Sequence, residues 1–412
     1  MSFDTDLASA TAGADLQAQF DAVQKRALTA GAIGLGLSLV GGLIWPSTVL
    51  PAYLVAVLFW TGISLGSIGL TFLHHLVGGS WALPLRRPFE AGAFLIVLMA
   101  VFFAPILLGL RFIYIWTNPE AIAHNEAIRH KVEVIKFLTP SFFTIRTLAY
   151  FAIWIVAALV LNFWSRAQDG RTDDAPSRRL YVVSGPAIVL MFLSATFSAF
   201  DWGMSLDPDW YSSIYGAMFI VGELLSTLAL MTVIALRLSA FEPMRRAVTP
   251  DRLNDVGNLL LAFTMLWAYM TVSQFLIIWL GNIGEEVSWY LRRTQGVWGA
   301  VSLALIVFQF FAPFLALLSR ETKRKAEWVL PIALWILVMR VVELGWLVLP
   351  ASSEIGVARF PWGSIPWILT SMVGVGGVWI AAFVWRLRSA PLIPLHDPRI
   401  MAALEHSGEV LV

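Results

Sequence analysis

Seven ionisable side chains lie inside or at the ends of strongly apolar segments, where ionisable groups are rare. They are His74, His75, Glu90, Asp201, Glu223, Arg340 and Glu343. A charged side chain at the centre of a bilayer costs roughly 2.5–3.5 kcal/mol on insertion scales, so such residues usually carry protons or ions, or pair with one another. The seven fall at both ends and in the middle of the apolar segments, which predicts a path that could carry protons.

Glu223 stands out because it lies near the middle of its segment. Its neighbours, Gly222-Glu223-Leu224-Leu225-Ser226, offer no opposite charge. Two interpretations stay open for this acid. It could relay protons, or it could hydrogen-bond to a neighbouring helix and hold two helices together.

Two further acids, Asp201 and Glu343, occupy similar places in the chain. Each shortly precedes a tryptophan, Trp202 in one case and Trp346 in the other. This match indicates a weak internal repeat at a spacing of four segments. Arg340 and Glu343 lie three residues apart, so they share a helix face and can form an ion pair. The repeat favours a functional Glu343, whereas Asp201 could also be an ordinary acid at the membrane interface.

His74 and His75 end the second apolar segment beside Arg86, Arg87 and Glu90. Histidine changes its charge near neutral pH, so the pair could load protons at one end of a path, or it could form ordinary hydrogen bonds. Haem ligation is disfavoured because it needs two histidines at equal depth on facing helices. The other four histidines lie in loops or in the C-terminal tail.

The remaining polar residues of the apolar segments have simpler interpretations. The amides of Asn258, Gln274 and Gln309 are expected to hold helices together by hydrogen bonds. Arg111 and Arg146 lie near segment ends, where a long side chain can extend its charge towards the membrane surface.

The composition is that of a multi-span membrane protein. The chain has 412 residues, of which 58% are hydrophobic and 13% charged, with a mean hydropathy of +0.75. A membrane-spanning helix needs about 20 mainly apolar residues. Ten segments meet this condition: 27–45, 49–73, 90–115, 142–164, 180–202, 211–236, 255–281, 296–318, 327–349 and 364–385. The absence of Cys excludes disulfides and thiolate-bound iron–sulfur clusters.

The basic residues predict the topology. Nineteen Lys and Arg fall on the side of the termini and six on the other, which places both termini in the cytoplasm. The fold predicted is all-α, with two four-helix bundles (helices 2–5 and 6–9) and two peripheral helices. The corresponding domains are a tail, peripheral helix 1, the two bundles, peripheral helix 10 and a tail, at 1–26, 27–48, 49–203, 204–350, 351–388 and 389–412.

Four stretches resemble one protein family. They are Phe200–Gly216, His74–Pro88, Asn258–Arg293 and Pro391–Arg399, the last ending His396-Asp397-Pro398-Arg399. With their spacing of acids, Trp, Ser-Leu and Tyr-Gly, they resemble the NrfD-like integral membrane subunits of bacterial alternative complex III, most closely the ActF type. The resemblance covers both halves of the chain. It implies ten helices in two bundles, in the bacterial cytoplasmic (inner) membrane.

The resemblance also implies partners and ligands. The partners are a sister NrfD-like membrane subunit, an extracytoplasmic iron–sulfur protein, multihaem cytochrome subunits and membrane lipids, with no nucleic acid. The subunit would hold no metal or redox centre of its own, and quinol or menaquinol and lipids are its expected ligands. Asp201, Trp202, Gln274 and Arg340 are quinol-pocket candidates. Residues expected to dock the partner are Asp207, Asp209, Trp210, Glu285, Glu286 and Trp289.

Three functions stay open at this point. The first is a non-redox membrane subunit of a quinol-oxidising complex that contributes to quinol binding or proton translocation. The second is a stand-alone secondary transporter, although the sequence has no matched pair of Gly/Pro-broken segments to mark a midplane substrate site. The third is a pure assembly scaffold.

Overall fold

The computed structural model describes residues 13–171, 173–352, 360–394 and 397. This part of the chain contains ten helices that are long and apolar enough to cross a membrane. They are α1 (Ala14–Ile44), α2 (Pro46–Val77), α3 (Arg86–Leu108), α4 (Pro140–Asp169), α5 (Ala175–Leu206), α6 (Tyr215–Leu238), α7 (Pro250–Gly281), α8 (Gly296–Leu318), α9 (Ala326–Ala351) and α10 (Trp362–Leu387). The predicted all-α membrane fold is confirmed, whereas the sidedness of the termini stays a prediction from charge.

Three helices differ from their predicted segments. α1 begins 13 residues early, because Leu16 and Phe20 are buried and Asp21 pairs with Arg388 at 2.9 Å. α3 is broken into three short helices, and single turns replace it beyond Leu108. α6 begins only at Tyr215, because residues 211–214 belong to the loop that follows α5.

Helix contacts are centred on α2, which is the most buried of the ten helices. α2 packs against α3, α4 and α5, and α6 packs against α7 and α9, with α8 between α7 and α9. α2 also contacts α6 and α9, which joins the two groups of four helices. α1 and α10 pack tightly on each other outside these groups, and α10 rests on α2.

Glycines bring α1 and α10 into backbone contact. A Cβ on Gly34 would lie 2.6 Å from the backbone nitrogen of Gly374, and a Cβ on Gly31 would lie 2.6 Å from that of Val378. Small residues allow this close approach of membrane helices, where van der Waals packing replaces the hydrophobic effect as a driving force. Backbone atoms cannot move aside as a side chain can, so these positions exclude larger residues.

We expect Gly34→Leu to destabilise the protein by about 1–3 kcal/mol, because an overpacked contact forces the two helices apart. The measurement is thermal unfolding of the purified protein in mild detergent. Gly36→Leu is the matched control, since no atom lies within 4 Å of a Cβ at Gly36 on the same helix. Equal melting temperatures for the two variants would contradict the close contact.

Candidate functional site

The cluster at the predicted cytoplasmic ends of α2 and α3 is centred on Arg86, and we call it the inner cluster. Arg86 is 1% exposed and donates to Glu90 through Nε at 2.6 Å. Its Nη1 donates to His74 Nδ1 at 3.0 Å, and its Nη2 donates to His75 Nε2 at 2.7 Å. Nη1 also reaches Asp397 Oδ2 at 3.3 Å. The structure therefore brings together all three residues predicted for this end of the path.

The hydrogen bonds of Arg86 set the protonation of both histidines. A guanidinium has only donors, so a ring nitrogen that bonds to it must accept and carries no proton. His74 then holds its proton on Nε2, which faces the carbonyl oxygen of Gly79 at 3.2 Å. Both imidazoles are neutral in this arrangement, and protonating either Arg86-facing nitrogen requires that a bond to Arg86 breaks first.

Glu90 is held by more partners than Arg86 alone. Arg87 Nη1 donates to its Oε2 at 2.6 Å, and the Ser165 hydroxyl donates to its Oε1 at 2.5 Å. Arg87 also pairs with Asp169 at the end of α4. These contacts satisfy the carboxylate of Glu90 and tie α3 to α4, so the inner cluster is a neutralised network at a helix junction.

Asp201, at the predicted outer end of α5, is fully buried and forms a bidentate ion pair with Arg146 of α4. Arg146 donates to both carboxylate oxygens, at 2.8 and 2.7 Å, and the Tyr150 hydroxyl donates to Oδ2 at 2.7 Å. Arg146 does not simply extend to the membrane surface, as its place near a helix end predicted. Its guanidinium also lies 4.1 Å from the ring centre of Phe137. This bidentate geometry is among the stronger kinds of ion pair.

Glu343 on α9 is the centre of a second buried network, the central cluster. Its carboxylate accepts from Arg340 on the same helix, from Gln309 on α8 and, at 2.8 Å, from the indole nitrogen of Trp267 on α7. Arg340 Nε further donates to the Ser226 hydroxyl at 3.2 Å. The predicted pairing of Arg340 with Glu343 is present, and three donors surround the carboxylate.

Gln309 lies within a π-helical stretch of α8, Leu305–Phe311. Such stretches are uncommon and frequently occur at functional sites. Here the irregular turn accompanies an amide that is 1% exposed and donates to Glu343. The amide was expected to hold helices together, and it does so between α8 and α9.

Glu223 differs from every other acid predicted for the path. It is 7% exposed, yet no residue in the described part of the chain hydrogen-bonds or ion-pairs with its carboxyl group. Its side chain packs over Gly62 of α2, where a Cβ would lie 2.9 Å from Glu223 Cγ. It also lines a cavity of about 140 Å³ between α2, α5 and α6. Phe192, which lines the same cavity, is 48% exposed, so the cavity reaches the lipid-facing surface.

The two tryptophans of the predicted internal repeat make similar contacts. Trp202 Nε1 donates to the Thr147 hydroxyl on α4 at 3.1 Å, and Trp346 Nε1 donates to the Ser302 hydroxyl on α8 at 2.8 Å. The two acids do not follow this equivalence. Asp201 directly precedes its tryptophan and pairs with α4, whereas Glu343 lies three residues before its own and bonds within α7, α8 and α9.

The loop that joins α5 to α6 is buried beneath the loop that joins α7 to α8. Asp207 is 4% exposed and accepts from Arg292 and, at 3.3 Å, from Arg293. Trp210 stacks on Trp289 with ring centres 4.5 Å apart. Burial lowers the pKa of the Arg293 guanidinium, and the neighbouring Asp207 opposes that effect. These side chains are committed to contacts inside the chain, although we predicted that three of them dock a partner.

The other docking candidates divide between bonded and exposed residues. Asp209 accepts from the Asn125 amide at 2.9 Å, so it also fastens one outer loop to another. Glu285 is exposed and Glu286 is half-buried at the start of the short helix Gly284–Thr294. Docking by Asp207, Asp209, Trp210, Glu285, Glu286 and Trp289 stays a prediction, and Glu285 presents the most accessible carboxylate of the set.

Gln274 joins α7 to both outer loops. Its Oε1 accepts from the Ser212 hydroxyl at 3.2 Å, and its Nε2 donates to the Tyr290 hydroxyl at 3.2 Å. Burial raises the pKa of Tyr290 to about 12, so its phenol stays protonated at neutral pH. The quinol-pocket candidates are therefore in three places, with Asp201 and Trp202 on α5, Gln274 beneath the loops and Arg340 in the central cluster.

Sequence reasoning missed the arginines that neutralise the predicted acids at the outer side. Arg146 and Tyr150 lie four residues apart on α4 and both face Asp201, a spacing that places two side chains on one helix face. Arg292 and Arg293 do the same for Asp207. The sequence did contain a usable signal, because each acid lies at about the same predicted depth as an arginine elsewhere in the chain.

No protein-family model matches this chain, and no curated protein matches it significantly. The resemblance to NrfD-like subunits therefore stays a prediction that depends on its loop residues. His396, Pro398 and Arg399, which belong to the last of those stretches, lie outside the described residues. Among the described residues, the geometry consists of four neutralised networks and the buried carboxyl group of Glu223, which has no hydrogen-bond or ion-pair partner there.

Proposed function

We propose that this chain is a non-redox membrane subunit of a quinol-oxidising electron-transfer complex, in which Glu223 exchanges protons within the membrane. Its partners in this proposal are a sister membrane subunit and an extracytoplasmic iron–sulfur and haem module. The resemblance of the loops to NrfD-like subunits supports the choice of complex. Glu223 is buried, and its carboxyl group has no hydrogen-bond or ion-pair partner among the described residues. This observation supports the role in proton exchange, and the proposal depends on it.

The contrast between Glu223 and the other acids explains this choice. Asp201 and Glu343 each accept from an arginine and from further donors, so taking up a proton would disrupt an ion pair. Glu223 has no such partner in the described part of the chain, so its carboxyl group can gain or lose a proton without breaking a contact. Glu223 also lines a cavity that opens to the lipid-facing surface.

The fixed networks have a complementary role in the proposal. Arg86 is 1% exposed and lies at the predicted cytoplasmic ends of α2 and α3, whereas Arg340 is 2% exposed and lies at the level of Glu223, against Gly222 and 3.2 Å from the Ser226 hydroxyl of α6. Glu90 neutralises Arg86 and Glu343 neutralises Arg340, and of the two arginines Arg340 is the one whose charge acts on Glu223. No described hydrogen bond connects Glu223 to His74 or His75, so in this proposal mobile water molecules or a quinol hydroxyl bridge that gap.

The test of membership in a complex is purification from native membranes in mild detergent, with an affinity tag on this chain. We expect a coloured preparation with the absorbance of haem and with iron–sulfur and cytochrome proteins in its mass spectrum. The same purification from an untagged strain is the control. A colourless preparation that contains only copies of this chain would overturn the assignment and favour a transporter.

A further inference from the structure

A second cavity lies at the predicted cytoplasmic side, between α1, α6 and α10. Its volume is about 310 Å³, which is within the range of small-ligand sites. The cavity extends along α6 from Leu230 to Leu238, a length of roughly 12 Å at the rise of an α-helix. It therefore runs along the direction in which a lipid chain lies in a bilayer.

The cavity has an apolar depth and a polar mouth. Trp379 lies at its deep end, and the indole nitrogen of Trp379 is already bonded to the Ser64 hydroxyl at 2.9 Å. Gln19 on α1 and Arg237 near the end of α6 are the polar side chains at the mouth. No acidic residue lines the cavity. This distribution matches a molecule with one apolar chain and an anionic head.

Arg237 is the basic residue at the mouth of the cavity. Its side chain is exposed, and it forms no hydrogen bond or ion pair with any residue that the structure describes. Other arginines at the same side are engaged, such as Arg386 with Asn162 and Arg388 with Asp21. A basic residue at the surface of an anionic leaflet gains roughly 1 kcal/mol from the lipid charge.

We propose that this cavity binds an anionic phospholipid of the cytoplasmic leaflet. One acyl chain lies along α6 between α1 and α10, and the phosphate lies beside Arg237 and Gln19. The lipid fills a gap that α1 and α10 leave against the second group of helices. The site is separate from Glu223 and does not depend on the function proposed above.

The experiment is native mass spectrometry of the purified protein or complex after delipidation, with either phosphatidylglycerol or phosphatidylcholine added back. We expect wild type to retain phosphatidylglycerol in preference to phosphatidylcholine. Arg237→Gln should weaken phosphatidylglycerol retention about five-fold, the ratio that corresponds to the loss of ~1 kcal/mol. Arg320→Gln removes an exposed cation at the same predicted side but outside the cavity, and it should change nothing.

A second pair of variants tests the acyl-chain part of the site. Ile234→Trp fills the cavity and should reduce the retention of phosphatidylglycerol, whereas Val338→Trp, on the lipid-facing surface of α9, should not. Unaltered retention in both Arg237→Gln and Ile234→Trp would overturn the proposal. Equal retention of the two lipids by wild type would overturn the assignment of an anionic head.

Discussion

Arg340→Met should lower the free energy of unfolding by about 3–5 kcal/mol, because it removes one partner of a buried ion pair and leaves the other uncompensated. The Arg340 side chain is 2% exposed, and the Glu343 side chain is 6% exposed. Met is close to Arg in length and keeps the apolar packing against α6. The measurement is equilibrium unfolding in mixed micelles, or the shift in melting temperature at fixed detergent.

The matched control is the double variant Arg340→Met/Glu343→Gln, which removes both charges together. Replacing a whole buried pair by neutral groups is often neutral or stabilising, so the double variant should recover most of the loss. Glu343→Gln alone should also destabilise, because it leaves Arg340 unpaired beside Gly222. If the double variant lost as much stability as the sum of the two single ones, the two charges would not form a coupled pair.

Glu223→Gln should abolish the proton movement that this subunit contributes while leaving electron transfer in the complex intact. Gln keeps the size of the side chain over Gly62 but cannot release a proton. The measurement is the number of protons translocated per electron by the complex in liposomes, with quinol oxidation as the driving reaction. An unchanged ratio in a correctly assembled complex would remove Glu223 from the path.

Reaction with a hydrophobic carbodiimide gives an independent measurement on the same group. Such reagents partition into the membrane and modify carboxyl groups that are protonated and accessible. We expect modification at Glu223, which lines a lipid-facing cavity, and none at Glu343, which is surrounded by three donors. Labelling at Glu343 in preference to Glu223, mapped by peptide mass spectrometry, would contradict the difference that the structure shows.

The helices were predictable because the thickness of a bilayer sets the length of each apolar segment. Every predicted segment overlaps one of the ten helices. The exceptions arise where side-chain contacts override hydropathy. Helix α1 continues to Ala14, where Leu16 and Phe20 are buried in the main hydrophobic core, which local polarity does not reveal.

The residues of the candidate site could be predicted from the sequence, but the residues with which they pair could not. His74, His75 and Glu90 all contact Arg86, because the four residues lie close together in sequence, on either side of the connection between α2 and α3. Asp201 instead finds Arg146, which is 55 residues away in sequence. Lateral packing decides such pairs, and a single sequence gives the depth of a residue but not the direction in which it faces.

The loop between α5 and α6 is a second case in which the sequence did not reveal the contacts that its residues make. Its acids and tryptophans are typical of a membrane surface, and they predicted an exposed docking site. Arg292 and Arg293, 85 and 86 residues further on, neutralise Asp207 and cover the loop. The loop therefore fastens the two halves of the chain together, and Tyr211, which is 60% exposed, is its most accessible aromatic residue.

The contact of Arg86 with Asp397 has a consequence for the synthesis of the protein. These residues are separated by 311 positions, so a ribosome that adds 5–20 residues per second makes Asp397 roughly 15–60 s after Arg86. During this interval Arg86 lacks one of the two acids with which it pairs in the folded chain. Glu90, four residues after Arg86, is made almost at once and can neutralise it. The local ion pair can thus form before the C-terminal segment is made and completes the inner cluster.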